Sequence, residues 1–210
     1  MLDSEQENKG AVKNGGFDPF ADLMVMQGAM PDHWWPVNLR TLSPFQRALV
    51  AMDGTVTKFL EAYLLEPIDV VRLSQQKQQL QQEHLWLAAA AGTSVIARQV
   101  LLRGRYSATV YAYAVSLLLV DRLPADVLRG LDLEPSGLGR ILLNSQLENR
   151  REILWYGRET IADLPEAIEA HTGIHFISRT YRILVGNRPM MLINEKFPID
   201  SPVGQGVEQN

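Results

Sequence analysis

Two charged residues sit in rows that are otherwise apolar. In the run Met191-Leu-Ile-Asn-Glu195-Lys-Phe-Pro198, an extended backbone puts Met191, Ile193, Glu195 and Phe197 on one face. In Ser94-Val-Ile-Ala-Arg98-Gln-Val-Leu-Leu102, Arg98 falls with Ile96, Val100 and Leu102, while Val95, Ala97, Gln99 and Leu101 point the other way. A guanidinium buried in such a row must meet an anion or carbonyls, and its planar fork suits a bidentate carboxylate. A carboxylate between large apolar neighbours serves either as an acid or base in a dry site, or as a structural ion-pair partner or a strand-end group that reaches water. For Arg98 the structural alternative is a pair with Glu195 or another acid. The two residue types together fit a small carboxylate ligand in a dry pocket.

Other chemistries fit less well. His171 and His175 stand four apart, but Thr172-Gly173 between them favours a turn over a continuous helix, and His33 and His84 are remote, so no zinc site is expected. Cysteine is absent, which removes thiolate ligands, disulfides and a cysteine nucleophile. The chain has no Gly-x-Ser-x-Gly and no nucleotide-binding glycine pattern. Arg179 and Arg182 near the C-terminus either add positive potential to a site or face solvent. Trp86, Trp155 and Tyr156 suit a core or a groove.

The elements that must position Arg98 and Glu195 are mostly strands. Residues 179–198 hold two apolar runs joined by Gly186-Asn187, the pattern of a β-hairpin. His84-Leu-Trp-Leu87, a small-residue turn at 90–93 and the Arg98 run read as a second hairpin. Ile68 to Leu73 reads as a strand running into a glutamine-rich segment at 75–83, an extended edge strand or a hairpin arm. Residues 107–119 show no sharp period, and Glu148 to Gly157 suggests another strand. Ser43-Pro44 signals a helix start leading to Met52, and Thr55 or Thr57 can cap a second helix through Leu65. A loop at 121–124 leads to a short helix over 125–131. Gly137-Leu138-Gly139 opens another short helix at Arg140, with free N–H groups able to meet an anion or a carbonyl. A further helix is expected over 163–172. Hairpins with interspersed helices indicate an α+β fold built on a mainly antiparallel sheet.

The 210 residues are 46% hydrophobic and 21% charged, enough for one globular core. The net charge of −4 argues against a nucleic-acid binder that works through a basic face. No long apolar stretch or signal-peptide pattern is present, so a cytoplasmic protein without membrane insertion is expected. The polar start to residue 16 suggests disorder, and the aromatics and prolines from Phe17 to Pro36 suggest a strap on the surface. The expected division is a tail and strap at 1–38, one domain at 39–200, and a C-terminal tail at 201–210.

The order of several short motifs resembles the chorismate pyruvate-lyase superfamily, in its cyanobacterial and plastid branch. They are Asp53-Gly-Thr-Val-Thr-Lys58, Val95-Ile-Ala-Arg98-Gln-Val100, Asp121-Arg-Leu-Pro124, Gly137-Leu-Gly-Arg140, Arg150-Arg-Glu152 and Leu192-Ile-Asn-Glu195-Lys-Phe-Pro198. The resemblance implies a lyase that takes pyruvate from chorismate to leave 4-hydroxybenzoate, with no cofactor or metal. It also implies helical flaps over a buried ligand pocket. Carried over by position, Arg98 binds the ring carboxylate, Glu195 sits at the hydroxyl end, and the backbones of Val56 and Leu138 add contacts; the apolar neighbours of Glu195, taken with that position, make it the expected group for proton transfer. Quinone biosynthesis is the family-level destination of the product, and a monomer is expected. Val56 departs from the methionine common in the ubiquinone-pathway enzymes, and residues 158–175 look longer than their connection. The rival reading is a non-catalytic domain of the same fold that binds a small carboxylate effector, although no helix-turn-helix is evident before Leu39.

Overall fold

The computed structural model describes residues 18, 20–133, 137–162, 164, 168, 169 and 172–199. The frame is one six-stranded antiparallel sheet of β1 (Ile68–Gln79), β2 (Ser94–Gly104), β3 (Val110–Leu119), β4 (Arg150–Thr160), β5 (His175–Val185) and β6 (Arg188–Pro198). Its order is β1-β2-β3-β6-β5-β4, so β3 and β6 are central. The helices are α1 (Pro44–Ala51), α2 (Val56–Leu64), α3 (Ala125–Leu133) and α4 (Leu138–Asn144). This is the α+β, mainly antiparallel class that the alternation of the sequence indicates.

Local signals account for several boundaries. Ser43 caps α1 through the Gln46 N–H, and the Gln46 side chain returns to the Ser43 N–H, a full capping box with Pro44 at the first helical position. The Gly186-Asn187 turn, with both residues at positive φ, closes the β5–β6 hairpin. β3 lacks a two-residue period because it is a central strand with apolar packing on both of its faces, so most of its side chains are buried whichever way they point.

The expected pairing of residues 84–87 with the Arg98 strand is wrong. β2 instead pairs with β1 from Gln79↔Ser94 to Ile68↔Gly104, and Leu85–Leu87 forms a 3-10 turn. The polar run Gln75–Gln79 can continue β1 because it lies at the exposed sheet edge, where glutamines hydrogen-bond water and discourage edge pairing. Leu87 and Ala89 drop from the connecting loop onto Val95 and Leu119, which is why that loop is apolar.

The other sheet edge, β4, is covered by the strap. The N–H groups of Val25 and Met26 donate to the carbonyls of Ile153 and Leu154, and Trp35 exchanges backbone bonds with Arg158. Trp34 is buried against Leu154 and Trp155. The two expected tails lie outside the described residues, as does most of the helix expected over 163–172; within it Ile168, Glu169 and Thr172 are helical.

Candidate active site

Cross-strand register sorts the side chains into two faces. Arg98 stands opposite Ser116 on β3, which stands opposite Ile193 on β6; Glu195 stands opposite Ala114 on one side and Arg179 on the other. All of these share the face covered by the helices. Arg98 and Glu195 are thus two strand spacings and two residue rises apart, about 12 Å between Cα atoms. That span lets their side chains approach the two ends of a benzene-sized ring.

A cavity of about 60 Å³ lies between them. Its floor includes Val100, Ala114 and Ile193, and its roof is made by Thr55-Val56-Thr57 and Gly137-Leu138-Gly139. Val56 is the first residue of α2 and Leu138 the first of α4, so both helices begin at the cavity. Neither Thr55 nor Gly137 caps its helix with a side chain, and the leading N–H groups, at Val56 and Leu138, have no carbonyl within the helix, whereas the Arg140 N–H already donates to the Gly137 carbonyl. Gly139 lies so close to Thr55 that a Cβ there would collide with the threonine side chain. The two roofs therefore touch at this seam. Outside it opens a cleft of about 970 Å³, which shares Thr55, Thr57 and Gly137 with the inner cavity.

The structure brings Arg98, Glu195, Val56 and Leu138 to this one cavity. Arg98 is 1% exposed and donates to the Gln75 side chain at 2.6 Å. Burial pushes its pKa down from the ordinary value to about 10, and the charge of nearby Arg72 acts in the same direction. It is still a cation at neutral pH. Glu195 does not pair with Arg98. Arg179, itself 1% exposed, donates to Glu195 Oε2 from Nε at 2.9 Å and Nη2 at 2.8 Å, and the Tyr181 hydroxyl donates to Oε1 at 3.1 Å. Oε1 keeps acceptor capacity for a further donor. Burial, then the charge of Glu195, pushes the Tyr181 hydroxyl well above its ordinary range.

Of its two alternatives Arg179 takes the buried one, beside Glu195 rather than in solvent, while Tyr181 and Arg151 are members that no sequence signal singles out. Nη1 of Arg179 also reaches the Val50 and Met52 carbonyls at the end of α1, where a cation meets the negative end of the helix. Arg151 donates to the Asp53 carbonyl at 2.6 Å. Two arginines thus hold the Met52–Asp53 turn that leads into α2. Arg182 pairs instead with Glu152 on the opposite face, at 2.7 Å. His175 contacts Thr160 and His171 lies outside the described residues; among those described, no group of three or more residues is arranged to hold a metal. Trp155 is buried with Trp86 edge-on to it, away from the cavity.

Comparison with known proteins agrees with this architecture. The chain is 28% identical over 168 residues to a chorismate pyruvate-lyase of Mycobacterium tuberculosis, covering 76% of this chain and 82% of that protein. It is 27% identical to the chorismate pyruvate-lyase of Mycobacterium leprae, covering 76% of each. Among solved structures, the effector domain of PhnF from Mycobacterium smegmatis shares the fold, with a TM-score of 0.55 at 11% identity over 70% of this chain and 90% of that one. No described helix is long and apolar enough to cross a membrane. The model of the Rv2949c-like chorismate pyruvate-lyases matches residues 50–202, from the end of α1 through β6, and the chain belongs to that family.

Proposed function

We propose that the protein converts chorismate to 4-hydroxybenzoate and pyruvate without a cofactor, and that residues 39–200 carry the activity. The observation that supports this best is the meeting of Arg98 and Glu195, from separate strands, at one cavity roofed by the starts of α2 and α4. Family membership and the names of the mycobacterial relatives point the same way.

In this reading Arg98 clamps the ring carboxylate, and the first-turn N–H groups at Val56 and Leu138 add hydrogen bonds to the substrate. Glu195 meets the ring hydroxyl through Oε1. The ether bond at the ring carbon beside the hydroxyl-bearing carbon breaks, and its electron pair leaves with enolpyruvate, which gains a proton to become pyruvate. The hydrogen on the hydroxyl-bearing carbon leaves as a proton, and its bonding electrons complete the aromatic ring. Glu195, at that end, receives it. Aromatisation supplies the driving force, so the protein mainly fixes geometry and moves one proton. The closed cavity is far below the roughly 300–1,000 Å³ of typical ligand sites, so substrate entry parts the α2 and α4 flaps at the Gly139–Thr55 seam.

Purified protein incubated with chorismate is expected to release 4-hydroxybenzoate and pyruvate in equal amounts. Binding without products would decide for the second reading, a non-catalytic domain that holds a small carboxylate, a kind of role that the fold shared with the PhnF effector domain allows. A monomeric, cytoplasmic enzyme of the cyanobacterial and plastid branch, supplying quinone biosynthesis, completes the proposal.

A further inference from the structure

We infer that Arg151 binds the second carboxylate of the dianionic substrate and so separates substrate from product, an assignment that rests on the lyase reading of the cavity. Arg151 stands on β4 opposite Ile183, and both line the cavity beside Tyr181. One of its donors, Nη1, is used on the Asp53 carbonyl. Its Nε is buried and has no acceptor among the described residues. A buried donor without a partner is costly, and one on a cation lining a cavity is relieved by an anion that enters.

Position selects which anion. With the ring carboxylate at Arg98 and the hydroxyl at Glu195, the enolpyruvyl group is attached at the ring carbon next to the hydroxyl-bearing one. Its point of attachment therefore lies nearer the Glu195 end than the Arg98 end, and a side chain extended away from the ring carboxylate carries its own carboxylate toward that end. Among the described residues, the cations near that end are Arg179 and Arg151. Every nitrogen of Arg179 already has an acceptor, with Nε and Nη2 on Glu195 and Nη1 on the carbonyls that end α1. Arg72 lies at the opposite side, next to Arg98, and donates to the Leu131 carbonyl. Arg151 is the guanidinium left near Tyr181 and Glu195, close enough that its charge acts on the Tyr181 hydroxyl.

The product carries a ring carboxylate and a hydroxyl but no second carboxylate. Arg151 then contacts chorismate and the departing pyruvate, whereas Arg98 contacts substrate and product alike. The test is the full chain with Arg151→Gln, assayed with chorismate and titrated with 4-hydroxybenzoate. We expect kcat/KM for chorismate to fall about 30-fold or more, as for other desolvated charge pairs, while product affinity stays within about twofold. Unchanged product affinity also reports an intact pocket. Arg151→Lys, which keeps the charge and loses the fork, is expected to fall between wild type and Arg151→Gln, and carries the same criterion if Arg151→Gln does not fold. Equal losses for both ligands would make Arg151 a mere support for the Asp53 turn, and unchanged kcat/KM would remove it from the site. A wild type that leaves chorismate intact would instead sink the lyase reading, and the assignment with it.

Discussion

Glu195 and Lys196 are neighbours on β6, and because side chains alternate they point through opposite faces of the sheet. Each is buried and each meets an opposite charge: Glu195 meets Arg179 on the helical face, and Lys196 meets Glu159 on the other. The surroundings differ. Lys196 and Glu159 are joined by Ser178 and lie beside the Trp34 ring of the strap, with the Lys196 ammonium 5.8 Å from the ring centre. Glu195 borders a cavity, keeps acceptor capacity, and faces the starts of two helices. Burial of charge therefore does not mark a site. What marks it is a space beside the charge, with hydrogen-bonding positions left over.

Stability should fail to distinguish the two pairs. Arg179→Met and Lys196→Met each strand a buried carboxylate and are expected to cost about 3–5 kcal/mol in denaturant unfolding. The double change Glu159→Gln with Lys196→Met removes both charges and is expected to recover most of that loss. Turnover should separate the faces: Glu195→Gln is expected to slow chorismate conversion about 10²–10⁴-fold. The Glu159/Lys196 double variant should convert chorismate at the wild-type rate. Loss of turnover in that double variant, or wild-type turnover in Glu195→Gln, would break the contrast. A smaller effect is expected at the other end of the cavity, where Arg98→Ala should weaken 4-hydroxybenzoate by about 2 kcal/mol in calorimetry. Unchanged affinity would take Arg98 out of the site.

How much of this was legible follows from the same pairs. Alternation alone puts Arg98 and Glu195 in apolar rows, and the registers keep both rows as read. The partner of Glu195 was hidden by one residue. Val185↔Arg188 across the Gly-Asn turn would, if continued, pair Arg179 with Asn194 and send it to the other face. An irregularity between Ile183 and Leu184 shifts the register by one and sets Arg179 opposite Glu195. Pro189, which cannot donate to the ladder, is the one local sign of an irregularity there, and it does not say which way the register moves. Arg151 was equally hidden, because a strand that reads Arg-Arg-Glu-Ile-Leu gives no sign of which arginine turns inward. The hairpin wrongly assigned to 84–102 failed for a different reason: an apolar loop segment that fills a core hollow has the composition of a strand.

The contrast extends to pH. Burial pushes both basic groups down, Arg98 to about 10 and the Lys196 ammonium below the usual lysine range, with Glu159 opposing the shift in Lys196. Only Arg98 faces the cavity. A carboxylate ligand binds the charged guanidinium and holds its proton, so above about pH 10 binding must also take up a proton. Affinity is then flat through neutral pH and falls as pH rises through about 10, by up to tenfold per unit. Benzoate is the suitable probe, since it has no hydroxyl of its own to titrate in that range. Its affinity curve should be the same in the wild type and in the Glu159/Lys196 double variant, because titration of Lys196 occurs behind the sheet. A midpoint that moved in the double variant would assign the alkaline step to the sealed face, and an affinity unchanged to pH 11 would show that Arg98 keeps its proton or does not hold the carboxylate.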